Sequence, residues 1–140
     1  MFSTIAVGTD GSATASEAVR TAAEIARRFD ADLVLLSAYR ESGESATDPV
    51  GDEEQWAFNP VARLREQLAR TEAELKSDGI RVKTLVNEGN PGDVLIGLAE
   101  ECGADLLVIG NRGMRRRVLG SVPNTVTHRA PCAVLVVKTS

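Results

Sequence analysis

The residues best suited to chemistry follow a buried apolar run in the last third of the chain. They lie in a loop that contains three glycines, Gly110, Gly113 and Gly120. The loop also carries Arg112 and ends at Ser121, where a helical pattern begins. Glycines let a backbone approach a ligand closely, and the free N–H groups at a helix start attract an anion. Three consecutive arginines in the same loop add guanidinium groups that grip phosphate oxygens. This segment predicts an anion site, with phosphate as the first ligand to expect.

A second loop with binding chemistry follows the first apolar run. It reads Gly-Thr-Asp-Gly-Ser over residues 8–12. The carboxylate of Asp10 is suited to accept hydroxyl protons or to assist Mg²⁺ coordination, and a helix N-cap is the alternative role. Ser121 has the same alternative, and a simple turn at the end of a strand is the alternative for Gly110 and Gly113.

Apolar runs that alternate with helical patterns must position these loops. Short runs without a polar face predict strands buried on both sides, and a helical spacing of apolar residues predicts amphipathic helices. The predicted strands cover residues 3–8, 32–39, 80–86, 105–109 and 132–137. The predicted helices cover residues 15–29, 60–78, 90–102 and 121–129.

The alternation predicts an α/β fold, a single doubly wound sandwich of five parallel strands in the order 3-2-1-4-5. Residues 1–140 are expected to form one domain. In this order the first and fourth strands are neighbours at the point where the strand order reverses, and ligands bind there. The loops that follow Gly8 and Gly110 are therefore expected to meet.

Composition limits the classes of partner. The net charge of −4 argues against nucleic acid, since one arginine cluster is not an extended basic track. No apolar run reaches the length of a membrane span. We therefore expect no membrane association and a cytoplasmic location. Cys102 and Cys132 form no C-x-x-C pair, and His128 is the single histidine. A multi-histidine metal centre is thereby excluded.

Three motifs carry a resemblance to a known family. Val-Gly-Thr-Asp-Gly-Ser at 7–12, Leu-Leu-Val-Ile-Gly-Asn-Arg-Gly at 106–113 and Leu-Gly-Ser-Val-Pro-Asn at 119–124 fall in order along the chain. Together they resemble the universal stress protein family. The resemblance implies a flavodoxin-like or Rossmann-like domain, a role in stress response, and a homodimer formed through the C-terminal strand at 133–137.

The resemblance also implies a small dimeric regulatory protein that binds an adenine nucleotide. ATP is the first candidate ligand, with Mg²⁺ as an optional cofactor. It places the backbone of Gly8 and Thr9 beside the adenine, the backbone of Ala38 at the adenine edge, and Asp10 near the ribose and any metal. The full set of implied binding residues is Gly8, Thr9, Asp10, Ala38, Gly110, Arg112, Gly113, Gly120, Ser121, Val122 and Asn124.

The phosphate loop is shorter than in the ATP-binding members that the motifs resemble. Those members look like G-x-x-G, nine residues, then G-[ST], whereas six residues separate Gly113 from Gly120 here. Three fewer residues remove up to ~10 Å of extended chain. A shorter loop suits one phosphate better than three, so a cyclic AMP-binding member is the first alternative.

Two further alternatives differ in class. One is a stress protein that binds no nucleotide and acts as an interaction scaffold. The other is an enzyme, for which we expect at most slow ATP hydrolysis, because the chain has no G-x-x-x-x-G-K-[ST] motif and Asp10 is its clearest candidate base.

Overall fold

A computed structural model of the chain describes residues 1–11, 15–40, 60–111 and 121–138. Strands alternate with helices over these ranges. The elements are β1 Thr4–Gly8, α1 Ala15–Phe29, β2 Asp32–Tyr39, α2 Pro60–Ser77, β3 Val82–Glu88, α3 Pro91–Glu101, β4 Leu106–Asn111, α4 Ser121–Arg129 and β5 Ala133–Lys138.

The five strands form one parallel sheet in the order β3-β2-β1-β4-β5, which confirms the predicted topology. The first strand is central and pairs with β2 on one side and β4 on the other. Gly8 lies opposite Leu36, and Val7 lies opposite Val108. The strand order therefore reverses between β1 and β4, where ligands bind in folds of this kind.

Helices cover both faces of the sheet, because side chains alternate between the faces along each strand. Ile5 and Val7 face a core shared with α1 and the end of α2, whereas Ala6 faces a second core shared with α3 and α4. These three side chains have no exposed surface. Covering both faces explains why the central strands β1, β2 and β4 are mostly apolar along their whole length.

Most predicted element boundaries agree with the structure to within two residues. The third strand is displaced the furthest, from the predicted 80–86 to Val82–Glu88. Ile80 is buried, but it belongs to the turn that ends α2, where its N–H donates to the carbonyl of Leu75 at 3.1 Å. Gly79 makes this turn possible with a φ of +86°. No helix in the described ranges has the length and apolar character that crossing a membrane requires.

The carboxylate of Asp105 ties the start of β4 to the start of β1. Its two oxygens accept hydrogen bonds from the backbone N–H groups of Ser3 at 2.9 Å and Thr4 at 3.1 Å. The N–H of Ser3 is the main cause that lowers the pKa of Asp105, and burial opposes part of that effect. A carboxylate is favoured over its protonated form when backbone donors surround it.

We expect this carboxylate to make stability depend on pH. Its folded-state pKa is depressed, so its contribution is complete above the unfolded pKa of about 3.9 and is lost as the pH falls through the folded value. Asp105→Asn should lower the free energy of unfolding at pH 7 by at most about 1 kcal/mol, because solvent screens the hydrogen bonds of this largely accessible carboxylate. Urea titrations from pH 7 to pH 2.5 should show the difference from wild type shrinking below about pH 4. Glu100→Gln, at an exposed position of α3, is the control, and a difference that stays constant with pH would contradict the assignment.

Candidate functional site

The loop after β1 is fixed to the neighbouring strand. The N–H of Thr9 donates to the carbonyl of Leu36 at 2.9 Å, and the hydroxyl of Ser37 donates to the carbonyl of Thr9 at 2.7 Å. Ser37 is one of the few buried polar side chains in the described part of the chain. Its hydrogen bond satisfies a hydroxyl that would otherwise be costly to bury. The backbone of Thr9 is thus held in place before any ligand arrives.

A tight turn follows and leaves Asp10 exposed at the carboxyl edge of the sheet. The N–H of Gly11 donates to the hydroxyl of Thr9 at 3.1 Å, and Gly11 adopts a φ of +82°. A Cβ at Gly11 would lie 2.5 Å from the side-chain oxygen of Gln67. Gln67 belongs to α2, so this helix packs directly against the turn. The left-handed conformation favours glycine at this position, whereas the flexible end of the Gln67 side chain can move aside.

Gly8 has a packing role that the sequence analysis missed. A Cβ at this position would lie 2.9 Å from a methyl carbon of Leu95 and 3.5 Å from a methyl carbon of Ile109. These residues belong to α3 and β4, whose side chains pack against the end of β1. A larger residue at Gly8 would have to displace the Leu95 side chain, because a 2.9 Å contact is too short for two carbon atoms.

A cleft of the described structure opens at the same edge of the sheet. It has a volume of about 380 Å³ and lies between the first turns of α3 and α4 and the end of β2. The residues that line it are Arg40, Asn90, Pro91, Gly92, Ser121, Val122 and Thr125. Its volume falls within the range of small-molecule sites, roughly 300–1,000 Å³.

Close packing between α3 and α4 holds the walls of this cleft together. A Cβ on Gly92 would lie 3.0 Å from a methyl carbon of Thr125, so the helices approach as closely as glycine allows. Arg129 also forms an ion pair with Asp93 at 2.8 Å. Both side chains are exposed, and such a pair contributes about 0–1 kcal/mol. The fit of Gly92 against Thr125 is therefore the stronger constraint on the distance between the two helices.

The start of α4 is suited to an anion. Ser121 is its first residue and is exposed to the cleft, and its first turn carries no acidic side chain. The N–H groups of a first turn lack partners within their own helix and carry the positive end of the helix dipole. Val122 packs against the core shared with α3 and supplies an apolar surface beside Ser121.

Sequence similarity places the chain among known proteins. The sequence model of the universal stress protein family matches residues 1–138. The chain belongs to this family. Universal stress protein Rv1636 of Mycobacterium tuberculosis strain H37Rv is 38% identical over 144 residues, with 99% of this chain and 98% of the relative covered. Universal stress protein MJ0531 of Methanocaldococcus jannaschii is 30% identical over 151 residues, covering 99% of this chain and 83% of the relative.

Solved universal stress proteins share the fold. A universal stress protein in complex with cAMP is 36% identical and superposes with a TM-score of 0.71, covering 99% of this chain and 98% of that chain. UspA of Lactobacillus plantarum is 28% identical with a TM-score of 0.76, covering 96% and 97%. The protein MJ0577, at 24% identity and a TM-score of 0.80 over 100% and 98%, supports the fold alone.

Within the universal stress protein fold, two of the predicted binding residues line the cleft, namely Ser121 and Val122. Gly8, Thr9, Asp10, Ala38 and Gly110 lie where their strands end, at the same edge of the sheet. Asn124 is exposed on α4, and its carbonyl accepts a hydrogen bond from the hydroxyl of Thr127 at 3.1 Å. Arg112, Gly113 and Gly120 lie outside the described residues. The binding roles of all these residues stay predictions.

The sequence analysis did not select the remaining residues of the cleft. Asn90 and Pro91 were read as the start of a helix, and Asn90 is indeed the N-cap of α3. Arg40 directly follows β2, and in a parallel sheet every residue in that position lies at the binding edge. Position just after a strand is therefore the sequence signal that marks Arg40 and Asn90.

Metal-binding and reactive groups are sparse in the described part of the structure. No group of three or more histidine, cysteine, aspartate or glutamate residues there could hold a metal ion. Cys102 and Cys132 are half-buried free thiols that precede β4 and β5, at the edge of the sheet opposite the cleft. Burial is the main cause that raises the pKa of both thiols, which keeps them protonated and less reactive.

Two glycine substitutions should shift stability in opposite directions. Gly11→Ala forces a side chain into a left-handed backbone conformation and against Gln67. It should cost at least about 1–2 kcal/mol. Gly97→Ala, in α3 with open space around it, should stabilise by roughly 0.5–1 kcal/mol through helix propensity. Thermal and urea unfolding of the two variants would measure both changes, and a Gly11→Ala variant as stable as wild type would refute the described turn.

Proposed function

We propose that this universal stress protein binds an adenine nucleotide at the carboxyl edge of its sheet and acts as a regulatory protein in stress response. The supporting observation is the cleft that contains Ser121 and Val122, two residues of the family's binding motif, at a helix start suited to an anion. Thr9 and Asp10 follow β1, which is the neighbour of the strand that leads into the phosphate loop. The cytoplasm remains the proposed location, on the sequence argument alone.

Cyclic AMP is the nucleotide that we place first, ahead of the ATP favoured by the motifs alone. Two observations support this order. The loop between Gly113 and Gly120 is three residues shorter than the ATP-binding pattern. A universal stress protein 36% identical to this chain was solved in complex with cAMP. A ligand with one phosphate needs fewer loop contacts than one with three.

With ATP as the ligand, Asp10 would supply one carboxylate to Mg²⁺. Magnesium in nucleotide sites is usually held by one or two carboxylates together with phosphate oxygens and waters, and an exposed carboxylate at the edge of the site fits that pattern. We propose binding rather than turnover as the activity, with slow ATP hydrolysis as the upper limit.

Isothermal titration of the purified protein with cyclic AMP and with ATP tests the nucleotide proposal. We expect saturable binding of both, with the tighter affinity for cyclic AMP. Ser121→Ala should weaken binding by about tenfold or more, since a hydrogen bond to a charged phosphate contributes roughly 1.5–3 kcal/mol. Ser77→Ala, at the exposed end of α2, is the matched control and should leave affinity unchanged.

Gly113→Val provides a second test on the glycine loop, because a side chain at that position would occupy the space of the ligand. Absence of binding by wild type at millimolar cyclic AMP and ATP would overturn the proposal. That result would favour the alternative of a nucleotide-free interaction scaffold.

We further propose a homodimer formed through residues 133–137. The fifth strand is an edge of the sheet, paired on one side with β4. Its four central side chains, Val134 to Val137, are apolar and each only half-buried in the single chain. An apolar edge strand with unpaired backbone groups favours association with another chain.

Sedimentation analysis tests the dimer. The molar mass measured for wild type should be twice the 14.9 kDa of one chain. Val136→Lys should shift the protein toward monomer, because pairing two edge strands would bring two lysines close together without partners. Val61→Lys, at a half-buried valine of α2, is the control for the charge change. A wild-type monomer, or a Val136→Lys dimer of unchanged stability, would count against this interface.

A further inference from the structure

Arg40 is a long cationic side chain in the cleft to which no family motif assigns a role. It directly follows β2 and lines the cleft together with the first turn of α3 and with Ser121 and Val122. None of the described lining residues is a carboxylate. An arginine in such a cleft recognises either an anionic group or the face of a planar ring.

The part of the cleft formed by α3 is poorly suited to an anion. The side chain of Asn90 accepts a hydrogen bond from the N–H of Asp93 at 3.3 Å, so the helix already has its cap. Pro91 has no N–H to offer, and the first turn already holds the carboxylate of Asp93, which pairs with Arg129 at 2.8 Å. This helix start therefore offers a phosphate few hydrogen-bond donors and little electrostatic stabilisation.

The part of the cleft formed by α4 has the opposite character. Its first turn carries no acidic side chain, and Ser121 offers a hydroxyl beside the backbone N–H groups. The two helix starts therefore divide the cleft into an end suited to the phosphate, at Ser121, and an end that is not, at Pro91 and Gly92.

The second end has the surface that a flat ring needs. Pro91 lines this wall with an apolar ring and Gly92 with backbone alone, and Asn90 beside them is uncharged, so the wall carries no formal charge. The guanidinium of Arg40 is planar and stacks on aromatic faces, which the ammonium of a lysine cannot reproduce. A planar base between Arg40 and this wall would place its sugar and phosphate toward Ser121.

We infer that Arg40 is a specificity-determining residue that stacks on the base of the bound nucleotide, while the phosphate lies at Ser121. This inference rests on the proposed nucleotide-binding function. Because the inferred contact of Arg40 is with the base, removing its side chain should lower the affinity for nucleosides and for nucleotides to the same extent.

Displacement of a fluorescent cyclic AMP analogue by adenosine and by cyclic AMP separates the two possible contacts. Arg40→Ala should weaken adenosine and cyclic AMP by the same factor, about threefold to thirtyfold, as expected for loss of a cation–π contact. Arg40→Lys should recover only a minor part of that loss. Arg70→Ala is the matched control, because Arg70 is exposed on α2 and pairs with Glu66 of the same helix.

The opposite pattern would overturn the inference. If Arg40→Ala weakens cyclic AMP but leaves adenosine unchanged, and Arg40→Lys restores cyclic AMP binding, then Arg40 contacts the phosphate. Unchanged affinity for both ligands in Arg40→Ala would remove Arg40 from the site altogether. Failure of wild type to bind the analogue would instead count against the proposed function, so the two failures are distinguishable.

Discussion

The central strand β1 is enclosed by a strand on each side and by a hydrophobic core on each face. Ile5, Ala6 and Val7 have no exposed surface, and the strand is paired on both sides, with β2 and with β4. A strand enclosed in this way has no room for a polar side chain, since burying an unpaired polar group costs several kcal/mol. Polar chemistry is therefore displaced to the residues after the strand, where Thr9 and Asp10 lie.

The parallel direction of the strands gathers the site at one edge of the sheet. Because all five strands are parallel, their carboxyl ends lie together, and the loops that follow them converge. On one face, α3 and α4 pack closely enough for Gly92 to contact Thr125, and the cleft forms between their first turns. On the other face, α2 reaches the turn at Gly11 through Gln67. The turn that carries Asp10 is thus braced by a helix that contributes nothing to the cleft.

Much of this architecture was accessible from local pattern. Short segments rich in aliphatic residues identified the five strands, helical spacing identified the four helices of the described ranges, and their alternation predicted the sheet order. The displacement of β3 shows where local pattern fails. Ile80 is as apolar as a strand residue, but its backbone closes the turn after α2. Gly8 likewise resembled a binding-loop glycine, and its contact with Leu95 gives it a packing role that needs the positions of α3 and β4.

The sequence by itself determined which segments are buried, where the helices begin, and which residues carry the motifs of the universal stress protein family. These properties follow from the period of apolar residues and from residue type, both of which are local. The tertiary structure alone decided that Arg40 and Asn90 share a cleft with Ser121. They are far apart in sequence, and their proximity depends on strand register and on how closely α3 and α4 pack. Those distances arise from the packing of whole elements, which no local pattern encodes.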